Sequence, residues 1–185
     1  MSYRKTGDLM ERVRRIWGNE QMLAIAKTLI VSIRKRAFKD GKDVNDKSFA
    51  AYSTRPIYIS NTSDTYRRLQ PKGGRDTGRG TFYAGGYSEY KRKSQKSRSS
   101  KVNLTLSGQL QRSVRIVKLT KFEAKIDLVG PARVYGGFVD EKRPFMGISP
   151  KDSKVIQALF RDVLKDSFSQ QGFRSVTVRR ATRRV

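Results

Sequence analysis

The sequence predicts an α+β fold: a long N-terminal helix and a C-terminal helix packed on a small antiparallel sheet, with a long extended basic loop and an Arg-rich tail. Three observations carry this expectation. Apolar residues recur at helical spacing over 19–39 and again over 150–169. Residues 122–129, FEAKIDLV, alternate apolar and polar side chains with the period of two expected of a half-buried strand. Over 40–103 apolar residues thin out, and Gly, Ser, Lys, Arg and Tyr take their place. The 185 residues suit one domain, 1–185, with a core at about 8–55 and 104–170, an arm at about 60–103 and a basic tail at 172–185.

Charge bounds the function. There are 41 Lys and Arg against 16 Asp and Glu, a formal net charge of +25. Solubility needs only roughly 2–8 charges, so the excess points to a polyanion: nucleic acid first, then an acidic protein or an acidic membrane surface. The plainer reading is a solvated cationic surface. The chain has no Cys and no His. Thiol nucleophiles, disulfides, Cys-based metal centres and every His-dependent triad are thereby excluded within one chain. MSYRKTGDLMERVRR has no apolar stretch of the kind that makes a signal peptide. No window approaches the ~18 apolar residues of a membrane span.

The elements follow in order. DLMERVRRIW (8–17) places Leu9, Val13, Ile16 and Trp17 at helical spacing, with Asp8 at its start. After Gly18-Asn19, the helix over 19–39 carries Met22, Leu23, Ala26, Leu29, Ile30, Ile33 and Ala37 as its stripe. Arg34, Lys35 and Arg36 load its exit, where the dipole favours cations, and Gly41 ends it. PIYIS (56–60) reads as a short strand. Between Tyr66 and Ser100 there are ten Lys and Arg and two acids, with glycines at 73, 74, 78, 80, 85 and 86, which predicts an extended arm rather than a core. A short helix follows Thr105 or Ser107, with Leu106, Leu110 and Val114 facing inward. Strands at 115–120 and 122–129 pair around Thr120-Lys121, and ARVYGGFV (132–139) reads as a third, bent strand broken by Gly136-Gly137.

RPFMGISPKD (143–152) then sets up the last helix. Ser149 is placed as N-cap, Pro150 at the first helical position and Asp152 three residues beyond the cap. Val155, Ile156, Leu159, Phe160, Val163, Leu164 and Phe168 form one apolar face. The tail after Gly172 carries five Arg and no acid.

No catalytic or metal-binding constellation assembles, and no cofactor is implied. Asp140-Glu141 is the sole adjacent acid pair, and neighbours in a chain point apart. Asp43 and Asp46 lack the remaining ligands of a calcium loop, and GGRDTGRG (73–80) lacks the Lys-Ser/Thr ending of a phosphate-binding loop. RGTFYAGGY (79–87) partly resembles the aromatic motif of RNA-binding sheets. Basic residues interleaved with Tyr66, Phe82, Tyr83, Tyr87 and Tyr90 suit base stacking, and suit a protein contact better.

Three segments in order carry a family resemblance: Leu106-Ser107-Gly108-Gln109-Leu110, Tyr135-Gly136-Gly137 and Arg143-Pro144-Phe145-Met146-Gly147-Ile148-Ser149, with FAAYS (49–53) ahead of them. Together with the final amphipathic helix they make the chain similar to the tail-completion or virion-morphogenesis family of tailed bacteriophages, over about 104–169 and more loosely over 20–55. The arm and the Arg-rich tail are additions to the family pattern. The resemblance implies a structural, non-enzymatic virion protein. It would form a homo-oligomeric ring at the neck or at the head-proximal end of the tail, contacting other copies of itself, other neck or tail proteins and, without sequence preference, packaged DNA. On that reading the interface residues are Arg143, Phe145 and Met146 at the joint, with Tyr83, Tyr87, Tyr90, Lys91, Arg92 and Lys93 on the arm. DNA or an acidic partner would meet Arg67, Arg68, Arg75, Arg79, Arg179, Arg180, Arg183 and Arg184.

Overall fold

The computed structural model describes residues 11, 13, 17–63, 72–93, 102–105 and 107–170. The fold is α+β, as the periodicities require. Of the helix expected over 8–17, Glu11 and Val13 are helical and Trp17 donates its N–H to the Val13 carbonyl at 2.9 Å; the rest lies outside the described residues. Helix α1 spans Asn19–Ile33. The Gly18 N–H is capped by the side chain of Gln21 at 2.9 Å.

The chain does not continue as α-helix to 39. Arg34–Asp40 widens into a π-helix that ends at Gly41, whose φ of 70° is the left-handed closure expected there. The wider turn buries Arg36, Ala37 and Phe38 in succession. A regular α-helix swings successive side chains 100° apart and would have turned one of the three outward.

Four short elements follow: β1 (Ile57–Ser60), β2 (Arg75–Asp76), β3 (Gly80–Tyr83) and α2 (Gly86–Lys93). The strands form an antiparallel sheet in the order β1–β3–β2. Only β1 was expected. Within the arm, residues 72–93 are therefore a folded lobe, with Ile59, Tyr83 and Tyr90 as a small core and Ile57 and Tyr87 packed beside it. Aromatics that read as contact residues in sequence instead stack on each other: Tyr83 and Tyr90 meet edge-on with ring centroids 5.5 Å apart.

Helix α3 (Gln109–Ser113) leads into β4 (Val114–Leu119), which pairs antiparallel with β5 (Ala124–Leu128). The turn between them is closed by the Thr120 N–H on the Glu123 carbonyl at 2.7 Å, so Phe122 belongs to the turn rather than the strand. Residues 132–139 are not a strand. They lie in helix α4, Ala132–Lys142. Gly136 broke the apparent strand pattern for a packing reason, because a Cβ there would overlap Leu128 and lie 3.0 Å from Leu110. Gly137 has nothing within 4 Å of its Cβ position. Gly136→Ala is expected to cost roughly 1–3 kcal/mol by overpacking, and Gly137→Ala to gain up to about 1 kcal/mol of helix propensity. Opposite shifts of the two denaturation midpoints would check this.

The last helix, α5, runs Pro150–Gln170. The main core collects Ile33, Ala37, Phe38, Phe49, Leu110, Val114, Leu128, Ala132 and Phe145. α1 lies against β4 and β5, and α5 packs along α1.

Candidate functional site

The joint at 143–152 is built from buried charge. Ser149 and Asp152 form the expected reciprocal cap: the Ser149 N–H donates to Asp152 Oδ2 at 2.8 Å, and the Asp152 N–H to Ser149 Oγ at 3.1 Å. Asp152 also pairs with Arg36 and accepts from the Ser32 hydroxyl. Arg36 donates further to the carbonyls of Phe145 (3.1 Å) and Gly147 (3.0 Å). From the other side, Asp140 accepts the N–H groups of Phe145 and Met146 at 2.7 and 2.8 Å. Asp140 is thus a turn acceptor, its carboxylate spent on backbone. Among the described residues no group of three or more acids could hold a metal ion.

A second cluster joins the arm lobe to this body. Lys91 is 1% exposed, and its Nζ donates to Tyr52 Oη at 2.5 Å, Asn103 O at 2.8 Å and Asn103 Oδ1 at 2.7 Å. Arg143 lies over the same Tyr52 ring, 4.6 Å from its centroid, and donates to the Ala50 carbonyl at 2.9 Å. Burial, then the Arg143 charge, pulls the Lys91 ammonium down to about 8. Burial, then the neighbouring Tyr52 and Tyr90, pushes the Tyr87 hydroxyl up to about 12. The Lys91 amine, enclosed by three oxygens, is a staple and not a nucleophile open to substrate.

The cluster sets a pH dependence of unusual sign. Between about pH 8 and the ordinary lysine value of 10.5, the unfolded chain holds a proton at Lys91 that the folded chain releases, so stability rises with pH. Above the ordinary tyrosine value of 10.0 the unfolded Tyr87 ionises first, and stability falls again. Denaturant midpoints taken from pH 7 to 11 should pass through a maximum, and Lys91→Met should flatten the rising limb.

Several residues expected at an interface are therefore internal. Phe145, Tyr83 and Tyr90 are each 0% exposed, so together with Lys91 they contact their own chain. Met146 packs on the main core. Phe145 is held edge-on to Phe38, with centroids 5.6 Å apart. Arg143, Tyr87 and Lys91 are brought together around Tyr52, which sequence reasoning did not single out. Arg92 and Lys93 are exposed, with Lys93 paired to Glu89 at 2.6 Å. Arg75 and Arg79 are exposed. Arg67, Arg68, Arg179, Arg180, Arg183 and Arg184 lie outside the described residues.

The open surfaces are elsewhere. An apolar groove of about 640 Å³ runs between α1, β5 and α5, lined by Trp17, Met22, Leu29, Ile126, Ile148 and Phe160 among others. The apolar side of α5 is only partly covered: Val155 is 48% and Phe160 39% exposed. On α4, Val134 and Phe138 stand 74% and 65% exposed, one helical turn apart. No described helix is long and apolar enough to cross a membrane. Comparison with family models, curated proteins and solved structures finds no match.

Proposed function

We propose that the chain is a structural subunit of a tailed-phage virion. It forms a homo-oligomeric ring at the neck or at the head-proximal end of the tail, and acts in tail completion and head–tail joining. The observation that carries this reading is a pair of unlike apolar surfaces on one cationic body. The exposed ridge of Val134 and Phe138 and the apolar groove between α1, β5 and α5 are surfaces of the kind that mark interaction sites. Two different patches on one chain meet head to tail, and such contacts close into rings when the rotation permits. The net charge of +25 opposes close approach of copies, so salt or an acidic neighbouring protein would aid assembly. Catalysis has no place in this reading. Its partners are further copies, the flanking neck or tail proteins and packaged DNA, and its location is the virion, after assembly in the host cytoplasm.

Electron microscopy of the purified chain across a salt series tests the proposal, with rings as the expected result. Phage lacking the chain should yield heads and tails that fail to join. Monomers at every salt concentration, together with infectious particles from the deletion, would discard it. A basic nucleic-acid-binding module is the second reading, favoured by Tyr58, Arg75 and Arg79, which stand exposed on and beside the β1–β3–β2 sheet.

A further inference from the structure

The register of the small sheet sorts its side chains by face. Tyr58 pairs with Phe82, and Phe82 with Arg75, so these three form one row across the strands. Directly paired residues share a face. The opposite face carries Ile57, Ile59, Thr81 and Tyr83, and it is covered by Tyr87 and Tyr90 of α2. Among the described residues no helix packs on this row: Tyr58 is 50% exposed in mid-strand, Phe82 is half-buried and Arg75 is exposed.

A glycine makes room for the Tyr58 ring. A Cβ on Gly80 would stand 2.7 Å from Tyr58 Oη and 2.8 Å from its Cζ. The hydroxyl end of the Tyr58 ring therefore lies over Gly80, where any side chain would collide with it, and half of the residue stays exposed. The tight turn that precedes Gly80 is pinned by the Gly78 N–H on Asp76 Oδ1 at 2.8 Å and the Thr77 N–H on the Gly80 carbonyl at 3.0 Å. That turn holds Arg79 exposed beside the platform. Among the described residues Arg75 and Arg79 have no carboxylate within ion-pair distance. Asp76, the one acid in the three strands, lies on the opposite side by register; it is exposed, and its Oδ1 accepts the Gly78 N–H.

We propose that this face is a binding platform for single-stranded nucleic acid, with unpaired bases stacking on Tyr58 and Phe82 and phosphates meeting Arg75 and Arg79. Exposed aromatic surface with guanidinium groups that meet no carboxylate among the described residues matches the π-faces and phosphates of a single strand. A duplex hides its base faces and would use the cations alone. The inference is independent of ring formation. The same chemistry would accept DNA or RNA.

Fluorescence anisotropy of the full chain with labelled oligo-dT and oligo-rU of about 20 nucleotides, and with a duplex of equal length, tests it over a salt series. Both single strands, or one of them, should bind more tightly than the duplex, and the tighter one names the natural strand. Tyr58→Ala should weaken single-strand binding by about five-fold or more while leaving duplex binding and the salt slope unchanged. Tyr58→Phe should retain affinity, since the ring remains. Arg75→Ala should weaken every nucleic acid and lower the slope by about 0.7–0.9. Variants are compared only where their melting matches the parent; should Tyr58→Ala melt early, the preference of the parent chain for single strand over duplex still decides. Equal affinity for strand and duplex, or a Tyr58→Ala protein that binds as the parent does, overturns the proposal. So does loss of self-association in Tyr58→Ala with oligonucleotide binding intact, which would assign the face to protein contact.

Discussion

Asp152→Ala is expected to lower the unfolding free energy by about 3–5 kcal/mol, the cost of leaving a buried cation without its counter-charge. Arg36 is 5% exposed and Asp152 3%. Removing the carboxylate strands the guanidinium between the Phe145 and Gly147 carbonyls, and it also takes the acceptor from the Ser149 N–H and the Ser32 hydroxyl. For a chain of this size the melting temperature should fall by roughly 10 °C. Arg36→Met should cost a similar amount. The double variant should cost much less than the sum, because the two groups act through one another.

The acid limb of the stability curve should report the same pair. Burial raises the Asp152 carboxyl, but hydrogen bonds from Ser32 and Ser149 and the contact with Arg36 outweigh it, and the group titrates below its ordinary 3.8. A depressed folded value contributes stability above the unfolded value, and that stability is lost as the pH falls through the folded one. The parent should therefore lose stability below about pH 4, and the Asp152→Ala variant should lack that share of the loss. A pH profile unchanged by the substitution would show that the pair is not coupled to folding.

The sequence displayed the cap of α5 because capping is local: Ser149 and Asp152 sit three residues apart whatever the rest of the chain does. It did not display the partner of Asp152. Arg36 lay in the run Arg34-Lys35-Arg36, which reads as a cationic helix exit. Yet Arg36 follows Ile33 by three residues and precedes Ala37, so it stands on the apolar stripe, and a charge there calls for a buried partner. The π-helix that turns it inward leaves no mark in residue spacing. Helix α4 was misread for a related reason: Gly136-Gly137 argues against helix by propensity, and tertiary packing overrides propensity where Gly136 must touch Leu128. The arm lobe was misread through composition. Strands of two to four residues cannot show a period, and ten scattered cations between Tyr66 and Ser100 hide a core made of Ile59, Tyr83 and Tyr90. The open surfaces fared worst, since exposure of Phe138 or Tyr58 depends on which neighbours the fold leaves out.

Phe145→Ala should cost about 3–5 kcal/mol of stability, and that outcome separates the joint from the interface. Phe145 is 0% exposed, edge-on to Phe38, in the same core as Ile33 and Val114. Its truncation opens a cavity beneath the turn that Arg36 and Asp140 hold, and neither clamp lets the backbone collapse into the space. The deficit should appear in the monomer, at concentrations and salt where no assembly forms. Phe138→Ser provides the contrast. Its ring is 65% exposed, so stability should change by no more than about 0.5 kcal/mol, while the proposed head-to-tail contact loses the centre of its ridge and ring formation should fail. Melting curves read beside sedimentation profiles distinguish the two. If Phe138→Ser assembles as the parent does, and Phe145→Ala keeps its melting temperature but no longer assembles, then the joint is the contact surface and the ridge on α4 is not.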